Sequence, residues 1–272
     1  MSGWHWLAIL LVSGLVFSIW AFQRWGIYEF PKTEETPAAY GLSEVVVKEL
    51  ISEDGARIQV WVSSPDEGAP TILSFYGNAA KIGGSMERFK PLMAKGYGIV
   101  VMQYRGASGD KNRSSERGFA MDARALYDQM DTLIGRVVPS ERRILHGLSL
   151  GSAVGARLAS EREFGAVILE ASMPRACRYY TKRYRGFPFC YLMWSERYDT
   201  VDLIDRVTAP KLFVHGAKDK SLPFEWAVQL AEIAPDPKRI VVFPDGGHAD
   251  LAKHGLIDLM SEFIEDVIPS AE

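Results

Sequence analysis

The sequence predicts an α/β protein: a mostly parallel twisted sheet with helices on both faces and an inserted lid, preceded by one N-terminal transmembrane helix. Three observations carry this. Short continuous apolar runs alternate with stretches of helical periodicity. One long insertion, rich in cations and aromatic rings, interrupts that alternation. Near the N-terminus, an apolar stretch carries no Asp, Glu, Lys or Arg.

That stretch is residues 4–22, WHWLAILLVSGLVFSIWAF. A bilayer core needs ~20 apolar residues at 1.5 Å rise each. Trp4, Trp6, Trp20 and Trp25 sit near its two ends, where indole rings favour the membrane interface. A cleaved signal peptide would want a basic leader and a small-x-small cleavage site. No Lys or Arg precedes Trp4, and Gln23, Arg24 and Trp25 follow the apolar core. Residues 1–25 are therefore expected to be a retained single-pass anchor, with membrane contact through residues 4–22. Arg24 and Lys32 on its C-terminal side lean towards a cytoplasmic domain under the positive-inside rule, with Glu29, Glu34 and Glu35 close by. Residues 26–43 carry two prolines and several charges and read as a linker.

From residue 44 to 272 one domain is expected. Runs at 45–50 and 58–62 are β-like and meet at Asp54-Gly55, a hairpin signal. Runs at 71–75, 98–102, 143–146, 166–169, 211–214 and 240–243 suit strands buried on both faces of a parallel sheet. Helical periodicity covers 115–133, with Gly135 as its stop, and then 153–159, 224–233 and 251–267. Residues 171–209 are too long for a simple crossover. They interleave Arg175, Arg178, Lys182, Arg183 and Arg185 with Tyr179, Tyr180, Tyr184, Phe187, Phe189, Tyr191 and Trp194. A lid over a site is expected there, against the alternative of a solvated helix pair with one aromatic face packed on the core.

Composition narrows the function classes. The chain has 272 residues, 47% hydrophobic and 24% charged, the profile of an ordinary globular protein rather than a disordered or collagenous one. Its 31 Lys+Arg against 34 Asp+Glu give a net charge of -3, which argues against a nucleic-acid partner. Cys177 and Cys190 are too few for a disulfide framework; they form one bridge in an oxidising compartment or stand as two thiols.

The chemistry centres on Gly147-Leu148-Ser149-Leu150-Gly151. A β-like run precedes this G-x-S-x-G and a helical run follows, the strand–turn–helix setting of a nucleophilic serine. Glycines two residues either side remove side chains that would collide at such a turn. A serine hydroxyl needs a base within reach, and the base needs an orienting acid, in chain order Ser, Asp or Glu, His. Of the downstream histidines, His215 looks like part of a strand and His254 lies inside the last helical stretch. His248, in Pro244-Asp-Gly-Gly-His248 after the last β-like run, is the expected base. Asp219 follows the preceding strand in the same way and is its expected partner. Asp245 and Asp250 lie too near His248 in sequence to approach its ring well, and Asp202 and Asp205 fall in the lid segment. An oxyanion hole needs the amide of Leu150 and one from the loop after an earlier strand, supplied by Asn78 or Tyr76. There is no H-E-x-x-H, no G-x-x-x-x-G-K-S/T and no G-x-G-x-x-G after a strand, so no metal, nucleotide or other cofactor is expected.

These motifs, with Tyr104-Arg105-Gly106, Arg197-Tyr198-Asp199, Ala209-Pro210 and His215-Gly216-x-x-Asp219 in the same order, make the chain resemble the α/β-hydrolase superfamily. More narrowly it is similar to membrane-anchored serine hydrolases related to protein depalmitoylases and lysophospholipid lipases. The resemblance implies Ser149 as nucleophile, His248 as base and Asp219 as its partner. Tyr76 stands where the family usually has the histidine of His-Gly-Asn, and Gln103 where it commonly has Asp before Tyr-Arg-Gly.

The expectation is a membrane-anchored serine hydrolase cleaving ester or thioester bonds of a small-molecule or lipid-like acyl substrate. The alternatives are a serine peptidase of the prolyl-aminopeptidase type and a non-catalytic membrane-tethered binding module.

Overall fold

The computed structural model describes residues 3–268. Residues 1–2 of the expected anchor and 269–272 of the expected domain lie outside the described residues. Helix α1 (Gly3–Ala21) runs on through a π-helical turn over Phe22–Gly26. Together they give one span, Trp4–Gly26, long and apolar enough to cross a membrane. Its 23 residues rise about 35 Å, against a hydrocarbon core of ~30 Å. Almost none of it is covered by the rest of the chain, so it is not packed as a core helix.

The segment expected as a linker is seated on the domain. Ile27, Phe30 and Leu42 are buried in the core. The Tyr28 hydroxyl donates to Glu196 and lies 2.6 Å from the Tyr198 hydroxyl. Prolines and charges signal irregular backbone, but they do not say whether its apolar side chains find a core, and these do.

Strands β1 (Val46–Ile51) and β2 (Arg57–Ser63) form the expected antiparallel hairpin, its turn closed by Ser52 N–H donating to Ala56 O at 2.8 Å, with Gly55 at φ +81°. β2 pairs antiparallel with β4 (Gly98–Met102). The other pairings are parallel and bring in β3 (Thr71–Phe75), β5 (Arg143–Leu148), β6 (Ala166–Glu170), β7 (Lys211–Gly216) and β8 (Lys238–Phe243). The eight-stranded order is β1-β2-β4-β3-β5-β6-β7-β8. Every residue of β3, β4, β6 and β7 is buried. Successive side chains point to opposite faces, so both faces of the sheet are covered. β8 begins two residues earlier than its apolar run because its first half is an exposed edge carrying Lys238 and Arg239.

The chain steps from β3 outward to β4, then returns past β3 to β5 and proceeds the other way. Loops leaving the carboxyl ends of β3 and β5 therefore diverge, and ligands bind in the crevice that such a switch opens.

Between β3 and β4 lie two short helices the periodicity does not reveal, α2 (Ile82–Glu87) and α3 (Lys90–Met93). Gly83, Gly84 and Pro91 dilute their signal. The helix expected over 115–133 divides into α4 (Glu116–Asp128) and α5 (Met130–Ile134). At the break, Gln129 turns its side-chain amide to Ile51 O at 2.8 Å, on the edge of β1. Ser115 caps α4, its hydroxyl accepting from Gly118 N–H at 3.0 Å, and Gly135 ends α5 at φ +84° as expected. Arg105 is buried and ties α4 to the hairpin, donating to Asp122 and Asp54 at 2.8 Å each.

Helix α6 (Leu150–Ala159) starts at Leu150, three residues before the periodicity places it. It touches β3 so closely that a Cβ on Gly151 would stand 2.0 Å from Phe75 O. The insertion between β6 and β7 holds α7 (Ala176–Arg183), α8 (Phe189–Leu192) and two 3-10 turns. Cys177 in α7 and Cys190 in α8 are bridged. Beyond β7 come α9 (Glu225–Ile233) and α10 (Leu256–Val267). His254 is not inside the last helix: residues 251–254 form a 3-10 turn, and Gly255 at φ +95° separates it from α10.

Two glycine substitutions separate close approach from helix propensity. Gly151→Ala, driven into the Phe75 carbonyl, is expected to destabilise by about 3 kcal/mol. Gly84→Ala in α2 has nothing within 4 Å of the new carbon and is expected to stabilise by about 0.5–1 kcal/mol. Urea unfolding of the two variants checks both signs.

Candidate active site

β5 ends and α6 begins at one residue. Ser149 sits there at φ 54°, ψ -115°, a backbone region costly for a side chain-bearing residue. The turn is held by Ser149 N–H donating to Glu170 O and Ser152 N–H donating to Ser149 O, both at 2.9 Å. The motif's glycines are sterically required: a Cβ on Gly147 would lie 2.4 Å from Gly151 O. As the first residue of α6, Leu150 carries an amide with no acceptor inside the helix.

The three residues expected to act together are brought together. His248 Nε2 is 3.0 Å from Ser149 Oγ, and His248 Nδ1 is 2.7 Å from Asp219 Oδ2. A carboxylate only accepts, so Nδ1 carries the proton and Nε2 is left to accept from the serine hydroxyl. Asp219 has further donors. Ser221 and Leu222 N–H reach Oδ1 at 2.7 and 2.9 Å, and His215 Nε2 reaches Oδ2 at 3.1 Å. Burial would push this carboxyl up, but the hydrogen bonds from His215 and His248 outweigh it and hold it well below the usual carboxylate range. The His248 loop is pressed onto the end of β7, where a Cβ on Gly216 would lie 2.3 Å from both Gly246 O and Gly247 O.

Asp250 accepts from Gly247 N–H at 2.7 Å and so shapes the loop that carries His248. Asp245 pairs with Lys218 on the surface, and Asp202 pairs with Arg175. His215, expected as a strand residue, is the penultimate residue of β7 and is wholly buried, 3.1 Å from Asp219. Sequence alone gives it no role; its spacing of four residues from Asp219 is the one signal that could have found it.

Ser149 and His248 open into a cavity of about 220 Å³, walled by Ile27, Asn78, Ala79, Leu150, Met173, Ala176, Tyr179, Tyr180 and Leu222 among others. A larger open groove of about 820 Å³, with Glu141, Gly165 and Pro210 on its walls, lies at the amino ends of β5, β6 and β7. That is the wrong end of the sheet for a ligand at a switch point.

Asn78 and Leu150 thus reach the cavity. The Tyr76 ring does not: it is buried against Tyr104, with Tyr104 N–H donating to its hydroxyl at 3.1 Å. The Asn78 side chain is occupied elsewhere, donating to Ile27 O at 2.8 Å and accepting from Glu29 N–H at 3.1 Å. It straps the segment that follows the apolar helix to the loop beside the serine. Nothing in the sequence pattern marks Ile27 and Glu29 as neighbours of Ser149. Among the described residues, no group of three or more His, Cys, Asp or Glu is placed to hold a metal ion.

No family model matches the chain. The uncharacterised protein Rv2307c of Mycobacterium tuberculosis is 31% identical over 270 residues, covering 96% of this chain and 93% of that one. The α/β-hydrolase domain-containing protein WAV2 of Arabidopsis thaliana is 29% identical over 227 residues, covering 74% and 71%. Among solved structures, the Pyrococcus furiosus esterase Pf2001 superposes with a TM-score of 0.67 at 16% identity, covering 89% of this chain and all of the esterase. The Pyrococcus horikoshii acylaminoacyl peptidase gives 0.68 at 19%, with 84% of this chain matched to 42% of the peptidase. At such identities the two structures speak for the fold.

The chain belongs to the α/β-hydrolase superfamily.

Its fold and relatives support a hydrolase. Behind the serine turn of this hydrolase lies a buried charge cluster. Glu170, whose carbonyl holds Ser149, places its carboxylate 2.9 Å from Arg88 and 3.1 Å from His146 Nε2. Ser74 Oγ lies 3.0 Å from His146 Nδ1, so the ring donates to the carboxylate and accepts from the serine. Burial alone would raise Glu170, but Arg88 and the His146 hydrogen bond outweigh it and bring the carboxyl to about 2. Its folded value lies below its unfolded one. The stability this carboxylate contributes is therefore complete above about pH 4.5 and lost as pH falls towards 2. Urea midpoints taken from pH 6 down to pH 3 are expected to fall more steeply in the wild type than in Glu170→Gln. Equal slopes would remove Glu170 from the acid sensitivity.

Proposed function

We propose that this chain is a membrane-anchored serine hydrolase that cleaves carboxylic ester or thioester bonds of lipid-like acyl substrates. The observation that carries the reading is the unbroken relay from Asp219 through His248 to Ser149 Oγ, 2.7 and 3.0 Å, opening into a cavity of mixed polar and apolar lining.

In this reading His248 Nε2 takes the Ser149 proton as Oγ attacks the acyl carbonyl. Negative charge develops on the carbonyl oxygen, where the amides of Leu150 and Asn78 stabilise it. The helix that starts at Leu150 adds its N-terminal dipole. Collapse expels the alcohol or thiol, protonated by His248, and leaves an acyl-serine. Water, deprotonated by the same imidazole, releases the acid. Asp219 holds the ring in the tautomer this requires.

The cavity's volume is below the ~300–1,000 Å³ of drug-sized sites, and Ile27, Met173, Ala176 and Leu222 line it. Glu29, Asn78 and Ser221 share the wall with them, so it is the small volume and this apolar part that support a single acyl chain. The span Trp4–Gly26 supports the anchor. The Cys177–Cys190 bridge supports placing the domain on the oxidising side of the membrane. Arg24 and Lys32 lean the other way, but large domains translocate largely regardless of flanking charge.

The full-length protein is expected to label with a fluorophosphonate probe, and Ser149→Ala is expected to lose that label. Labelling independent of Ser149 overturns the serine-hydrolase reading. Asp219→Asn is expected to lower kcat by about 10⁴-fold. Across p-nitrophenyl esters, turnover should rise from acetyl to medium chain lengths. Activity confined to acetyl and butyryl esters would remove the lipid-like substrate, and amide cleavage in preference to esters would point to a peptidase.

A further inference from the structure

The stretch 182–194, KRYRGFPFCYLMW, has an exposed face that the chemistry above does not use. Tyr191 is 92% exposed and Trp194 53% exposed, with Tyr184 and Phe187 also open. Such a patch marks an interaction site when nothing of the chain covers it. Lys182, Arg183 and Arg185 are exposed beside it, and the stretch contains no Asp or Glu. Its charge is opposite in sign to the -3 of the whole chain.

Its place in the fold identifies the partner. Gln23, buried in the last turn of the apolar helix, accepts through Oε1 from the backbone N–H of Trp194 at 3.0 Å and of Ser195 at 2.9 Å. Phe22 sets its ring edge-on to Tyr180 at 5.0 Å and to Tyr184 at 6.0 Å. The patch is thus fixed to the end of the span, the level at which Trp, Tyr, Lys and Arg favour the interface. Trp20 and Trp25, exposed on the helix itself, pack at 5.1 Å and continue the same aromatic belt.

From this continuity and charge we infer that residues 182–194 seat in the headgroup region of the bilayer that α1 enters, at an anionic phospholipid surface. The aromatic rings enter the interface, and Arg183 and Arg185 meet the lipid phosphates. Beneath the patch, Phe189 and the bridged Cys177 are buried, so the docked face is backed by packed structure. The inference rests on reading α1 as an anchor, but not on the action of Ser149.

Photocrosslinking tests it in the full-length chain reconstituted in vesicles. A benzophenone amino acid is placed at Tyr191, at Leu11 within the span, or at Val137, which is exposed at the amino end of β5. The expected result is lipid adducts at 191 and 11 and none at 137. Adducts at 11 without adducts at 191 overturn the docking face and leave the anchor standing. Adducts at neither overturn both. A crosslink from 191 to a second copy of the chain replaces the bilayer with self-association. Vesicles of phosphatidylcholine with about one-third phosphatidylglycerol should raise the yield at 191 about fivefold over phosphatidylcholine alone. Equal yields overturn the assignment to anionic lipid.

Discussion

The close approach of β5 and α6 at Ser149 is the constraint on which the site depends. A strand and a helix can meet within one residue only if the positions two before and two after carry no side chain, because each would strike backbone: Gly151 O in one case, Phe75 O in the other. With those glycines in place, Ser149 takes a positive φ and stands clear of both elements. The same geometry leaves Leu150 at the head of α6, its amide unused by the helix. The strain is met by neighbours on β6. Glu170 supplies the carbonyl that holds Ser149 N–H, and its side chain is fixed by Arg88 and His146. An ionised carboxylate in the core is costly unless it is paired and hydrogen-bonded, and this one is both.

The second half of the site is organised around Asp219 rather than around His248. The carboxylate receives two backbone amides and two imidazoles. Three of those four donors come from its own strand end and loop, so its position is fixed locally before the His248 loop arrives. His248 is less covered than its partner, and its loop is placed by the glycine contact at Gly216 and by Asp250.

Much of this was legible in the sequence because it is written locally. Buried strands read as apolar runs, the Asp54-Gly55 turn as a hairpin, and the G-x-S-x-G as a strand–turn–helix. Chain order selected His248 and Asp219. What was not legible depends on distant partners. Residues 26–43 look like a tether until Ile27 and Phe30 are seen in the core. His215 reads as one more strand residue until Asp219 is seen beside it. Helices α2 and α3 are too short and too rich in Gly and Pro for periodicity to find. Gln129 breaks a well-formed helical pattern because its amide is held by β1 on the other side of a loop. Two cysteines alone could not reveal their pairing, which depends on how α7 and α8 pack.

The Asn78 strap has a consequence for how the molecule meets its substrate. Only one residue, Gly26 at the helix end, separates the apolar span's last aromatic from Ile27, whose carbonyl is clamped beside the serine. With α1 in a bilayer there is no slack by which the domain could swing out to sample the surrounding solution. On the proposed reading of an anchored enzyme with acyl substrates, encounter becomes a search in two dimensions, governed by how many acyl groups occupy each patch of leaflet rather than by their concentration in water.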